Sequence, residues 1–120
     1  MENEAFIRMA LEKLHVPWQQ DSVRIRQFIE GRETAMRPLL WDMCEMNFLK
    51  SETNFEGTKE AVYKEFKRRK AQPKRGVVSA YAKQVTLREN GDRYDEYMRP
   101  MKDTVDEMCD LWEKQSPVFA

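Results

Sequence analysis

Residues 94–112 read YDEYMRPMKDTVDEMCDLW, and the apolar members Tyr94, Met98, Met101, Val105, Met108 and Trp112 are separated by 4, 3, 4, 3 and 4 residues. That spacing keeps one face of an α-helix apolar and does not fit the strict alternation of a half-buried strand. Cys109 and Leu111 widen the seam, while Asp103, Asp106, Glu107 and Asp110 fall on the outer side. Six seam positions fill fewer than three heptads, too few for a free-standing coiled coil, so the seam reads as the packing face of a helix inside a domain. The helix is placed at about 93–115. Pro100 lies within it, so the helix either starts in earnest there or bends there. Ser116-Pro117 closes it and leaves Val118-Phe119-Ala120 as an apolar tail, tucked onto the core or serving as a docking tag.

Upstream, the same period recurs in shorter pieces. Phe6, Ile7, Ala10, Leu11 and Leu14 form one stripe of a helix that must stop before Pro17. Asp21 or Ser22 caps a second segment with Val23, Ile25, Phe28 and Ile29 apolar, which Gly31 ends or bends. Met36, Leu39, Leu40, Met43, Cys44, Met46 and Phe48 cover more than one face, which places a third helix through the middle of the core, with Pro38 in its first turn and Trp41 off the main stripe. The polar run Ser51-Glu52-Thr53-Asn54 is expected to break it, with Phe55 plugging back onto the core before a fourth helix from Thr58 to about Lys70. Gln72-Pro73-Lys74-Arg75-Gly76 reads as a turn. Val77 to Arg88 fits a helix through Val77, Val78, Tyr81 and Val85, or a short strand-like piece near 85–88 running into Asn90-Gly91. The expected fold is all-α: a small single-domain bundle of four to six helices over residues 1–120, with one short irregular or strand-like segment near 85–88.

Charge is distributed in blocks. From Lys64 to Arg88 nine basic residues stand against Glu65 alone, a net +8, whereas residues 1–63 carry −3 and residues 89–120 carry −5. The zero net charge of the chain is thus a cancellation between unlike segments, and the basic helix and turn at 58–76 should attract an oppositely charged partner over roughly a Debye length, about 8 Å at physiological salt. Lys64, Lys67, Arg68, Arg69, Lys70, Lys74 and Arg75 are the candidate binding residues. Part of this block has a purely structural reading: Glu60 precedes Lys64 and Glu65 precedes Arg69 by four, and the cations 67–70 lie where the helix dipole is negative.

Several chemistries find no support in the residues. The four glycines, Gly31, Gly57, Gly76 and Gly91, are too dispersed for a phosphate-cradling loop. His15 is the sole histidine, and neither HExxH nor GxSxG occurs. The acids Asp103, Asp106, Glu107 and Asp110 read as a solvated helix face before they read as a cation site. Cys44 and Cys109 sit among apolar residues at helical spacing, as free thiols do in cores; the alternative is a disulfide between them, which would require an oxidising compartment. No catalytic residues, metal ligands or cofactors are therefore expected. With no apolar run of membrane-spanning length and an acidic start, Met1-Glu2-Asn3-Glu4, the chain is expected to be soluble and intracellular, without a secretory signal or transmembrane segment.

What remains is a non-catalytic interaction protein or accessory subunit of a larger protein assembly. Eight methionines and three tryptophans point the same way, since Met and Trp are enriched in interface cores, and Trp41, Met98, Met101 and Trp112 are the candidate apolar contacts. The alternative is a nucleic-acid-binding protein making phosphate contacts through Lys64–Arg75, with Tyr63 or Tyr81 available for stacking. A third reading pairs the basic helix with the acidic C-terminal helix of the same chain or of a second copy in a homodimer. Membrane insertion is not expected, because the basic block lacks an apolar face to insert.

Overall fold

The computed structural model describes residues 2–33, 35–69 and 72–115. Among these residues it contains six helices and no strand: α1 (Asn3–Lys13), α2 (Val23–Ile29), α3 (Met36–Glu52), α4 (Phe55–Arg68), α5 (Arg75–Glu89) and α6 (Gly91–Gln115). The all-α bundle expected from the periodicity is the fold observed. Lys70 and the tail Val118-Phe119-Ala120 lie outside the described residues. The chain divides into two compact units, one formed by residues up to Glu45 together with those from Met98 onward, the other by Met46–Tyr97.

In the first unit, the stripe Phe6, Ile7, Ala10, Leu11 and Leu14 is fully buried with Ile25 and Phe28 of α2, Leu39, Leu40 and Cys44 of α3, and Val105 and Met108 of α6. Burying each large aliphatic or aromatic side chain contributes roughly 1.5–3 kcal/mol relative to leaving it in water. Trp112 lies against Phe6 and Phe28, with ring centroids 5.0 and 5.1 Å away. Arg24 of α2 bonds Asp42 of α3, and Arg37 of α3 bonds Asp106 of α6.

Both early helices end in the same hydrogen-bonded device. After α2, the Arg32 N–H donates to the Gln27 carbonyl at 2.8 Å and the Gly31 N–H to that of Phe28 at 3.1 Å, with Gly31 at φ +78°. After α1, the Val16 N–H donates to Leu11 at 2.9 Å and the His15 N–H to Glu12 at 3.1 Å, with His15 in the left-handed region at φ +57°. These are Schellman caps, which satisfy carbonyls left over at a helix end and bring the following apolar residue, here the buried Val16, back over the last turn. His15 is thus a helix-terminating residue. Ser22 caps α2, its Oγ accepting from the Ile25 N–H at 3.3 Å.

In the second unit, Phe48, Leu49, Phe55 and Ala82 form the buried cluster, with Met46, Val62, Leu87, Tyr94 and Tyr97 packed around it. Several boundaries differ from the sequence expectation. The expected break falls at Thr53-Asn54, the second half of the polar run: Ser51 and Glu52 still continue α3, the Ser51 hydroxyl donating to the Asn47 carbonyl at 2.7 Å, and the Thr53 hydroxyl donates to that of Leu49 at 2.6 Å just past the helix end. Phe55 does plug the core, at 5% exposure, but it opens α4 itself, three residues before Thr58.

The strand-like option near 85–88 is overturned: those residues belong to α5, whose buried positions Val78, Ala82 and Thr86 recur every four residues. The turn at 72–76 also ends earlier than expected, since Arg75 and Gly76 are already helical and only Asn90 separates α5 from α6. In α6 the helix passes through Pro100 without starting there. The residue is exposed, as is Glu96, whose carbonyl would have received the missing N–H, so water can serve it.

Candidate interaction surface

The charged block falls on a helical hairpin made of α4, the linker and α5. Helix α4 is strongly amphipathic: Phe55, Thr58, Lys59, Val62 and Phe66 turn inward or are half-buried, which forces Lys64, Lys67 and Arg68 into solvent. Arg69, Lys74 and Arg75 are exposed as well, at the linker end of the hairpin, where Pro73 prevents α4 from running on.

Only part of this charge is answered locally. Glu65 accepts from Arg68 Nε at 3.0 Å and Nη2 at 2.7 Å, and from Arg69 Nε at 2.9 Å, so one carboxylate serves two guanidinium groups. The bonds from Arg68, with those from Arg69 behind them, hold the Glu65 carboxyl down to about 2. Lys64 Nζ stands 4.0 Å from Glu60, and Lys67 Nζ lies 5.6 Å from the Tyr63 ring centroid. Lys74 and Arg75 make no ion pair among the described residues. Lys83, by contrast, is half-buried and has an interaction of its own.

Apolar surface is exposed on the same end. Tyr63 is 41%, Tyr81 50% and Val77 53% exposed, three of the four large hydrophobic side chains most open to solvent among the described residues. Tyr81 meets Phe66 edge-on at 6.1 Å. Tyr81 lines an open groove of about 590 Å³ between α4 and α5, floored by Ala61, Val62, Phe66 and Val85 and edged by Glu65, Arg69 and Glu89, whereas Tyr63 lines a separate cleft with Glu60, Arg75 and Val78. The sequence placed Val77 and Tyr81 in the apolar stripe of this helix, but the buried period is Val78–Ala82–Thr86, which leaves Val77 and Tyr81 to one side and exposed while Val85 is half-buried.

The candidate apolar contacts are distributed differently. Met98 is buried at 4% exposure, and Trp112 spends its rings on Phe6 and Phe28, so both serve the interior of the first unit. Trp41 and Met101 are half-buried. Of the acidic group on α6, Asp106 is engaged by Arg37, while Asp103, Glu107 and Asp110 are exposed and make no ion pair among the described residues.

Cys44 and Cys109 are both buried free thiols, and burial pushes Cys44 up to about 11. Among the described residues no three His, Cys, Asp or Glu side chains gather as metal ligands would, and no helix is long and apolar enough to cross a membrane. No protein-family model, curated protein or solved structure matches the chain.

Proposed function

We propose that this protein is a non-catalytic interaction subunit that attaches to a larger protein assembly through the linker end of the α4–α5 hairpin. The observation that carries the reading is the coincidence, on one hairpin, of incompletely neutralised cations with exposed apolar side chains: Tyr63 shares a cleft with Arg75, and Val77 and Tyr81 follow Lys74 along α5. Desolvated aromatic and aliphatic surface supplies affinity, and a charged surround supplies orientation and association rate. A protein target is favoured over a polyphosphate because Glu56, Glu60 and Glu65 interrupt the cations along α4, and Glu65 stays ionised down to about pH 2. A surface of mixed sign matches another folded protein better than a uniformly negative strand.

The test is affinity purification from native extract after nuclease treatment, comparing the wild-type chain with a Lys67→Glu/Lys74→Glu/Arg75→Glu variant. The reading expects a protein partner that survives nuclease and is lost with the variant. An unchanged set of recovered proteins refutes it. The nucleic-acid alternative rests on Tyr63 standing exposed beside Lys67, as a stacking platform beside a phosphate contact would. It requires DNA or RNA retardation whose log affinity falls with log salt at about −0.9 per phosphate on duplex DNA.

A further inference from the structure

We propose that, in the free protein, a second copy of the chain covers the linker end of the hairpin by laying the outer ridge of its α6 across it. The inference rests on the reading of that end as the working surface and names what occupies it when no outside partner is bound.

Charge selects the contact. Residues 64–88 carry +8 and residues 89–120 carry −5, so hairpin against hairpin and ridge against ridge are both repulsive. The crossed pairing of one copy's hairpin with the other's α6 is attractive, and α6 belongs to the most acidic of the three segments, at −5 against −3 for residues 1–63. On the ridge, Asp103, Glu107 and Asp110 are exposed and make no ion pair among the described residues; Asp106, one step around the helix, is engaged at the surface by Arg37. On the hairpin, Lys74 and Arg75 are the matching cations, together with exposed Lys67, which lies over the Tyr63 ring and makes no ion pair among the described residues.

The apolar parts correspond as well. Pro100, exposed, and Leu111, half-buried, stand seven residues before and four after Glu107, on its flank of α6. They offer apolar surface to Val77 and Tyr81, which follow Lys74 by three and seven residues along α5 and otherwise stay in water. Because the contact is heterologous, association proceeds either by reciprocal exchange in a pair or by extension into longer assemblies, and both remove the monomer.

The experiment is molar-mass measurement by light scattering on the full chain at about 50 mM and about 0.5 M salt, where the screening length falls from more than 10 Å to only a few ångströms. Association at low salt and monomer at high salt is expected. Lys67→Glu/Lys74→Glu/Arg75→Glu and Asp103→Lys/Glu107→Lys/Asp110→Lys, each checked for native helicity, should separately weaken self-association by about tenfold or more, and their equimolar mixture should restore it.

A Lys13→Glu/Arg26→Glu/Arg32→Glu variant, with the same change in charge on exposed positions elsewhere, should fail to pair with the α6 variant. A monomer at low salt, indifference to either reversal, or equal pairing by this control overturns the inference. Such a failure is distinct from failure of the functional reading, which is decided by whether the hairpin variant still recovers the outside partner.

Discussion

Replacing Trp112 by alanine separates a structural role from an interface role for the residue. The Trp112 rings lie 5.0 and 5.1 Å from those of Phe6 and Phe28, both of which are fully buried. Truncating a core aromatic to alanine costs about 3–5 kcal/mol, and because Trp112 is only half-buried the lower end applies, about 3 kcal/mol. Each tilted aromatic pair accounts for about 0.5–1.5 kcal/mol of that, so Trp112→Phe, which keeps a ring in place, should lose about half as much. With an unfolding entropy of about 2.1 cal/mol/K per residue, a chain of 120 residues has about 0.25 kcal/mol/K, and a 3 kcal/mol loss lowers Tm by about 12 °C. Thermal melting followed by far-ultraviolet circular dichroism reads this directly. A Trp112→Ala protein that melts within about 2 °C of the wild type, on the same entropy scale, would refute the interior assignment, and loss of partner binding in that protein would return the residue to the surface.

Three further outcomes follow from local features. His15→Gly should stabilise the protein by about 1 kcal/mol in denaturant melts, because His15 occupies a left-handed position at φ +57° that glycine adopts without a side-chain penalty; destabilisation would mean that the imidazole makes a contact of more consequence than the cap. The Glu65 carboxyl, held at about 2 against an ordinary 4.5, contributes stability above about pH 4.5 that fades as pH falls toward 2; nuclear magnetic resonance titration should place its midpoint near the lower value, and Glu65→Gln should remove that part of the acid-side loss of helicity. Cys44 and Cys109, buried and with thiols pushed up by burial, should resist an aromatic disulfide reagent at neutral pH in the native state and both react in denaturant; rapid native reaction at either would contradict their burial.

The helical periods were legible because they are local. The stripe from Phe6 to Leu14 and the seam from Tyr94 to Trp112 state which face is buried before any tertiary contact is known. What escaped was decided by hydrogen bonds and by three-dimensional neighbours. The polar run 51–54 does break the helix, but only from Thr53 on, since the Ser51 hydroxyl bonds the carbonyl four residues back and the helix runs through Glu52. Val85-Thr86-Leu87 looks like a strand until Thr86 is placed in line with Val78 and Ala82.

On the candidate surface, the identity of the cations and the i,i+4 pairs Glu60–Lys64 and Glu65–Arg69 were visible in the sequence, but the rest of the accounting was not. That Glu65 would serve both Arg68 and Arg69, and leave Lys74 and Arg75 without a carboxylate among the described residues, depends on side-chain reach. The tryptophan and methionine candidates illustrate the converse. Composition marks Met98 and Trp112 as interface-like, and packing shows them spent on the protein's own interior.

The claim on which the functional account turns is that the linker end of the α4–α5 hairpin is what the partner touches. Acetylation of lysines, quantified residue by residue by mass spectrometry in the dilute free chain and in the native complex, tests it most directly. The account predicts protection of Lys64, Lys67 and Lys74 in the complex while the exposed Lys13, Lys102 and Lys114 keep their free reactivity. Unchanged modification at the first three, with protection at any of the others, would place the partner on a different surface and contradict the account.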